Sequence, residues 1–263
     1  DQRLFDDPIL LDLLPAPMRF ALRVRPIRDR FAAVLDRVAP GIRGAMLCRT
    51  RSIDDAVNAA IARGLKTVVI LGAGLDTRAC RLPQLARTTV FELDLPAIQD
   101  FKKSRLAKRL GSLPPNLKFI PADFNVEPIE ATLARAGLAA DQPALFVWEG
   151  VTQYLNPSAV DAVLRTVAAR ARGTELVFTY ILEEVITGRF RADRSAAFRK
   201  SASRRPEPWQ FGIDPSRLET FLRERGLTLQ EDSGADDYLA RYLNPLRRPL
   251  PVSEIERVAR ALV

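Results

Sequence analysis

Short runs of apolar residues alternate with stretches of helical periodicity through the middle of the chain. The run at 67–71, TVVIL, is β-branched, continuous and followed by glycine, as in a strand buried on both faces of a parallel sheet. Similar runs predict strands at 88–93, 117–120, 144–148 and 175–180. The stretches between them predict helices at 95–110, 129–136 and 158–172. This alternation is typical of an α/β fold built from βαβ units.

Both ends of the chain carry less regular patterns. Ahead of the first strand, apolar residues at helical spacing predict helices at 26–38 and 53–62, the second capped by Ser52. After residue 180, the arginine-rich stretch 183–209 predicts a helical insertion or lid. Further predictions are a helix at 217–225, started by Asp214, a strand at 227–230, and either a helix or an edge strand at 252–263.

Residue composition excludes several kinds of catalytic site. The chain contains no histidine, which excludes Ser–His and Cys–His triads, histidine general bases and most zinc sites. Its two cysteines cannot form a zinc site by themselves, and we predict no metal site. The formal net charge is +8, nearly all from arginine, and favours either acidic partners or a solvated basic surface.

The sequence predicts a soluble, cytoplasmic protein with no membrane partner. The first residues, DQRLFDDPILLDLLP, carry acids where a secretory signal would carry basic residues. No stretch approaches the roughly 18 uninterrupted apolar residues of a membrane span.

A glycine turn follows the first predicted strand. Gly72 and Gly74 stand between the strand and a helix-like stretch, the geometry in which open parallel sheets bind nucleotides. The third glycine of a dinucleotide fingerprint is replaced by Thr77. The second strand ends with Glu92 and Asp94, and a carboxylate at this tip can accept both ribose hydroxyls of an adenosine. We predict that role for Asp94, which lies nearer the end of the strand.

Acidic residues also end the third and fourth strands. Asp123 and Phe124 are placed to bind the amine of an adenine and to pack against its ring. Glu149 ends an apolar strand, and a buried carboxylate there needs a partner. The ammonium of S-adenosylmethionine would serve, and so would a nearby arginine.

Five segments in register resemble the leucine carboxyl methyltransferase family, whose members are class I S-adenosylmethionine-dependent methyltransferases. They are RTRSIDDAV (49–57), VVILGAGLDTRACRL (68–82), FELDLP (91–96), PADF (121–124) and WEGVTQYL (148–155). The resemblance implies a Rossmann-like, mostly parallel sheet of seven strands with one antiparallel strand and helices on both faces. It implies one domain: an N-terminal helical cap (1–63), a cofactor-binding core (64–182), a lid or insertion (183–212), and a C-terminal helix and strands (213–263).

The resemblance also implies residue roles. Arg49 matches the arginine that holds the cofactor carboxylate, and Arg51, two residues away, is an alternative. Gly72 matches the first glycine of the cofactor turn. The acids match positions around the cofactor: Asp94 the ribose, Asp123 the adenine and Glu149 the methionine moiety. Tyr154 falls on the substrate side.

The predicted activity is O-methylation of a small acidic or hydroxylated molecule, with a carboxylate favoured over a hydroxyl. A carboxylate is already ionised at neutral pH and needs no general base, so the absence of histidine is no obstacle. Two alternatives stay open. An NAD(P)-dependent oxidoreductase uses a similar turn and acid, and the basic charge fits a nucleic-acid-binding protein or methyltransferase.

Overall fold

The computed structural model describes residues 3–124, 126–190 and 208–263, and these form a mixed sheet of seven strands. The strands are β1 Thr67–Leu71, β2 Thr89–Asp94, β3 Leu117–Pro121, β4 Leu145–Trp148, β5 Glu175–Ile181, β6 Thr228–Ser233 and β7 Glu256–Leu262. Their order across the sheet is β3-β2-β1-β4-β5-β7-β6. Strands β1 to β5 are mutually parallel, whereas β7 runs antiparallel to both of its neighbours.

Eleven α-helices lie within the described residues. They are α1 Leu10–Leu13, α2 Ala16–Arg23, α3 Arg25–Val38, α4 Ile42–Ala62, α5 Arg78–Arg81, α6 Pro96–Leu110, α7 Ile129–Arg135, α8 Pro157–Ala168, α9 Glu183–Ile186, α10 Leu218–Arg223 and α11 Ala235–Tyr238. Shorter 3₁₀ turns occur at Pro83–Arg87, Thr152–Tyr154 and Pro215–Arg217, and a π-helical turn follows α11 at Leu239–Leu243. None of the helices described is long and apolar enough to cross a membrane.

The five predicted parallel strands are confirmed, each with its ends within one residue of the prediction. The C-terminal strand at 227–230 is also confirmed, as β6. The last stretch forms β7, but the edge-strand alternative is wrong, because β7 pairs with β5 on one side and β6 on the other. Buried Val258, Ala259 and Ala261 give it the apolar character of an inner strand.

The helix predicted to begin after Ser52 begins ten residues before that residue, at Ile42. Ser52 is buried within the helix and does not cap it. The reason is that small and apolar residues upstream, including Ala45 and Cys48, continue the core-facing side of the same helix. A Ser-x-x-Asp pattern caps a helix only where the chain leaves helical geometry, and here it does not.

Two apolar layers cover the two faces of the sheet. Val69 and Leu71 of β1 belong to one buried cluster, and Val68 and Ile70 belong to the other. Successive side chains of a strand point to opposite faces, so a strand with apolar residues at every position must be covered twice. Helix α4 covers the second face with Cys48, Ile53, Val57 and Ala60.

The N-terminal helices α2 and α3 contribute no buried residue. The predicted lid, 183–212, begins with α9, and its residues 191–207 lie outside the described residues. The next described residues are 208–213. Ile213 among them forms an isolated β-bridge with Leu182, the residue that follows β5. The division of the chain into cap, core and lid therefore stays a prediction.

Candidate cofactor and acceptor site

The glycine turn after β1 has the backbone conformation that the sequence predicted. Gly72 and Gly74 have φ angles of +67° and +46°, a region that L side chains rarely adopt. A Cβ on Gly72 would lie 2.4 Å from Cγ2 of Val151, whereas a Cβ on Gly74 would meet nothing within 4 Å. Gly72 is therefore required for packing against the segment that follows β4, and open space lies next to Gly74.

Asp94 at the end of β2 is fixed to this turn. Its Oδ2 accepts the backbone N–H of Gly74 at 2.5 Å, and its Oδ1 accepts the N–H of Leu95 at 2.7 Å. A carboxylate oxygen has two acceptor sites, so one on each oxygen is left for a ligand hydroxyl. The other acid of β2, Glu92, is buried against Lys102, whose Nζ lies 2.5 Å from its Oε2. The geometry thus favours Asp94 over Glu92 as a ribose ligand.

Arg49 and Arg78 converge on Glu149. Arg49 on α4 donates from Nε to Oε1 of Glu149 at 2.7 Å, and Arg78 on α5 donates from Nη1 to Oε2 at 2.6 Å. Arg49 also donates from Nη1 to Oε2 of Glu256 at 2.7 Å. Burial alone would raise the pKa of Glu149, but the charges of and hydrogen bonds from the two arginines outweigh it and lower that pKa to about 2. Glu149 is therefore ionised, and its partners within the chain are arginines.

Arg78 is the residue that sequence reasoning missed. Its side chain is 3% exposed and, besides Glu149, binds Asp54 on α4 at 2.7 Å and Asp76 in the glycine turn at 2.5 Å. Arg81, one turn along α5, binds the same Asp54 with two nitrogens at 2.7 and 2.8 Å. The sequence did contain a signal for this cluster. Asp54 is an acid on the apolar side of a predicted helix and needs a buried partner, and two arginines, Arg78 and Arg81, follow the glycine turn.

A first cavity of about 390 Å³, here called the glycine-turn cavity, opens beside these groups. Its wall includes Met46, Arg49, Gly72, Gly74, Arg78 and Glu149. Arg51 is not part of it: its Nε binds Asp55 at 2.8 Å, and its Nη1 donates to the Leu4 carbonyl at 2.7 Å. Arg49, rather than Arg51, therefore lies in the wall of the glycine-turn cavity.

A second cavity of about 380 Å³, here called the Tyr154 cavity, adjoins the first, since Met46 and Arg49 line both. Tyr154, predicted on the substrate side, lies in the wall of the second cavity and is half-buried. Asp123 and Phe124 follow β3 as predicted, and Phe124 packs against the core. Neither of them, nor Asp94, is in the wall of the glycine-turn cavity. The backbone N–H of Ala122 donates to the Asp94 carbonyl at 2.9 Å, so Asp123 follows directly after the residue that pairs with the end of β2.

The model of the leucine carboxyl methyltransferase family matches residues 1–168. The chain belongs to this family. Its sequence is 33% identical over 232 residues to a “Putative S-adenosyl-L-methionine-dependent methyltransferase” of Frankia alni, covering 86% of this chain and 79% of that one. It is 37% identical over 209 residues to a protein of the same description from Mycobacterium sp. (strain JLS), covering 74% and 64%.

Other relatives are matched over a smaller share of their length. The chain spans 40% of the length of a relative from Mycobacterium avium, to which it is 39% identical over 125 residues. Among solved structures, a “putative methyltransferase” from Thermobifida fusca superposes with a TM-score of 0.63 at 19% identity, covering 97% of this chain and 92% of that one. The chain therefore has the Rossmann-like α/β fold of class I methyltransferases, as its sequence predicted.

Proposed function

We propose that the chain binds S-adenosylmethionine and transfers its methyl group to a carboxylate oxygen of a small molecule. The observation that carries this proposal is the bond between Asp94 and the Gly74 N–H, beside the Arg49–Glu149 pair. Asp94 ends β2, Gly74 follows β1 and Glu149 follows β4, so a ribose-type acceptor, an open glycine turn and the acid of the charged pair lie at the carboxyl ends of neighbouring strands. This is the edge of a parallel sheet at which nucleotides bind.

The charged pair matches the aminoacyl end of the cofactor. Arg49 uses Nε and Nη1 for its two carboxylate partners, which leaves Nη2 for a cofactor carboxylate. Glu149 accepts one bond on each oxygen and retains acceptor sites for an ammonium. A nicotinamide carries neither of these groups, so the pair favours S-adenosylmethionine over NAD(P).

The chain's own chemistry fits a carboxylate acceptor better than a hydroxyl. When bound, S-adenosylmethionine supplies an electrophilic methyl group on a sulfonium, which an ionised carboxylate attacks without a general base. The chain has no histidine to deprotonate a hydroxyl, and Glu149, with its lowered pKa, is a poor base. The residues therefore contribute by holding the two reactants in line and excluding water, which is worth up to about 7–11 kcal/mol in well-oriented systems.

Calorimetric titration of the purified chain tests cofactor binding. We expect S-adenosylmethionine and S-adenosylhomocysteine to bind and NADH not to bind. Asp94→Ala removes the ribose acceptor and should weaken binding at least about tenfold, since hydrogen bonds to charged groups contribute about 1.5–3 kcal/mol. The matched control is Asp100→Ala on α6, whose side chain is 78% exposed. Binding of NADH, or no binding of either sulfur compound, would overturn the proposal.

Chemical lability of the product tests the acceptor type. The chain is incubated with methyl-labelled S-adenosylmethionine and a mixture of small organic acids, and the products are treated with mild alkali. A methyl ester releases volatile labelled methanol, whereas a methyl ether or an N-methyl group does not. Label that stays non-volatile would refute carboxylate methylation without affecting the cofactor assignment.

We also propose a cytoplasmic location. Cys48 and Cys80 are both free thiols rather than a disulfide, as is usual in a reducing compartment. Fractionation of cells that produce the chain with an epitope tag tests this location, and recovery in an extracytoplasmic fraction would contradict it.

A further inference from the structure

The Tyr154 cavity has a mainly apolar wall. Eight of its thirteen residues, not counting Tyr154, have hydrophobic side chains, among them Leu35, Val38, Met46, Ile181, Trp209 and Ile255. Its volume of about 380 Å³ is in the range that holds a small organic molecule. Because it adjoins the glycine-turn cavity at Met46 and Arg49, a molecule within it would lie next to a cofactor bound there.

The charges in this wall compensate each other. Among the described residues, the charged members of the wall are Arg49 and Glu256, which are joined by a hydrogen bond of 2.7 Å. Their side chains are 19% and 7% exposed. A ligand with a second carboxylate, or with many hydroxyls, would lose its hydration here without gaining a cation or enough hydrogen-bond partners in return.

Helix α3 supplies apolar residues to the cavity that the core does not use. Leu35 and Val38 line the cavity, although α3 has no buried residue and Val38 is 43% exposed. Exposed apolar side chains that rim a cavity of this kind mark a ligand-binding surface when they are clustered. Helix α3 therefore contributes to the wall of this cavity rather than to the packing of the core.

We propose that the Tyr154 cavity is the acceptor pocket and selects monocarboxylic acids with an apolar body over polar or dicarboxylic acids. This inference rests on the proposed function, since it places the carboxylate at the junction of the two cavities, near Arg49 and Tyr154. The body of the acid lies against α3 and Trp209. Apolar contact area provides the affinity, and the paired wall charges disfavour a second charge on the ligand.

Tryptophan fluorescence measures binding in this cavity directly. The chain has two tryptophans, of which Trp148 is fully buried in the core and Trp209 lines the cavity. We expect phenylacetate, 4-phenylbutyrate and octanoate to change the emission of Trp209 at saturable concentrations, with and without S-adenosylhomocysteine. Adipate and gluconate should bind at least about tenfold more weakly, which corresponds to 1.4 kcal/mol.

A matched pair of double variants on α3 identifies the binding surface. Leu35→Asn with Val38→Asn makes two cavity residues polar, and should weaken binding of the apolar acids about tenfold or more. Phe31→Asn with Val34→Asn makes the same kind of change at residues 57% and 51% exposed, outside the cavity, and should leave binding unchanged. Neither pair belongs to a buried cluster, so both variants should fold.

Failure of this inference is distinguishable from failure of the proposed function. If S-adenosylhomocysteine binds but the apolar acids do not, or bind no better than adipate and gluconate, the assignment of the pocket is wrong and the cofactor assignment stands. Equal effects of the two double variants would also overturn it. The comparison of acids uses the unmodified chain and does not depend on the folding of any variant.

Discussion

Arg49 and Glu149 are joined by a hydrogen bond of 2.7 Å, although 100 residues separate them along the chain. The bond connects helix α4 to the segment that follows β4. Arg49 lines both cavities, and Glu149 lines the glycine-turn cavity. Arg78 binds the other oxygen of the same carboxylate, and Glu256 binds the other side of the Arg49 guanidinium. This cluster connects distant parts of the chain and also lines the candidate site, so we expect its removal to affect stability as well as binding.

Glu149→Gln keeps the shape of the side chain but removes its charge. It removes the counter-ion that Arg49 and Arg78 share, although Glu256 still pairs with Arg49, and Asp54 and Asp76 still pair with Arg78. Neither arginine is left as an unpaired buried charge, so we expect a loss of about 1–3 kcal/mol in the free energy of unfolding, measured by urea denaturation. Glu219→Gln, at an exposed position on α10, is the control and should change stability little. A Glu149→Gln variant as stable as the unmodified chain would contradict the role of this cluster.

Acid should weaken the same cluster. The pKa of Glu149 in the folded chain is about 2, against an ordinary value of 4.5, so the folded state holds this proton less tightly than the unfolded state does. The stability that Glu149 contributes is therefore present above about pH 4.5 and is lost as the pH falls toward 2. Urea denaturation between pH 6 and 3 should show a shallower decline in Glu149→Gln than in the unmodified chain.

Glu92 should produce the opposite pH dependence. Burial raises its pKa to about 7, despite the opposing charge and hydrogen bond of Lys102. Its Oε1 also has no hydrogen-bond partner among the described residues. Because the folded chain keeps this proton up to about pH 7 and the unfolded chain releases it near 4.5, Glu92 makes stability fall as the pH rises through that interval.

The double variant Glu92→Gln with Lys102→Met should remove this decline, because it replaces both buried charges. Urea denaturation at pH 5, 6 and 7 measures the slope. The control, Asp100→Asn with Lys103→Met, changes a more exposed pair on the same helix and should keep the slope of the unmodified chain. An unchanged slope in the Glu92 variant would refute the assignment.

The two glycines of the turn should respond differently to alanine. Both have positive φ, but only Gly72 has a close neighbour, the Val151 side chain, where a Cβ would lie. Gly72→Ala should cost about 1–3 kcal/mol of stability for overpacking, in addition to the backbone strain that Gly74→Ala also has. Adding Val151→Ala should restore part of the loss in Gly72→Ala and none in Gly74→Ala. Thermal unfolding of the four variants checks this.

Conservative substitution tests whether Arg49 or Arg51 contacts the cofactor carboxylate. Lysine keeps the charge but cannot donate in the fork geometry of a guanidinium. Arg49→Lys should weaken S-adenosylhomocysteine binding by about tenfold, measured by calorimetry, because Arg49 lines the glycine-turn cavity. Arg51→Lys should have no effect, because Arg51 points to Asp55 and the Leu4 carbonyl. The reverse result would move the carboxylate contact to Arg51.

The amino-acid sequence by itself determined the parallel strands, the glycine turn and the acidic end of β2. These features depend on local properties: a continuous β-branched run, glycine where φ is positive, and an acid at a strand end. They are confirmed for β1 and β2, and the Asp94–Gly74 bond follows directly from them because neighbouring parallel strands end together. Asp214 likewise caps the helical segment that it was predicted to start.

Only the tertiary structure decided which charges meet. The partners of Glu149 lie 100 and 71 residues away, and Glu256 lies 207 residues from Arg49, so no local pattern specifies their pairing. The beginning of α4 and the inner position of β7 were also decided by packing, because apolar residues indicate burial without indicating what covers them. Long-range contacts of this kind depend on how the whole chain folds, whereas strand and turn preferences act within a few residues.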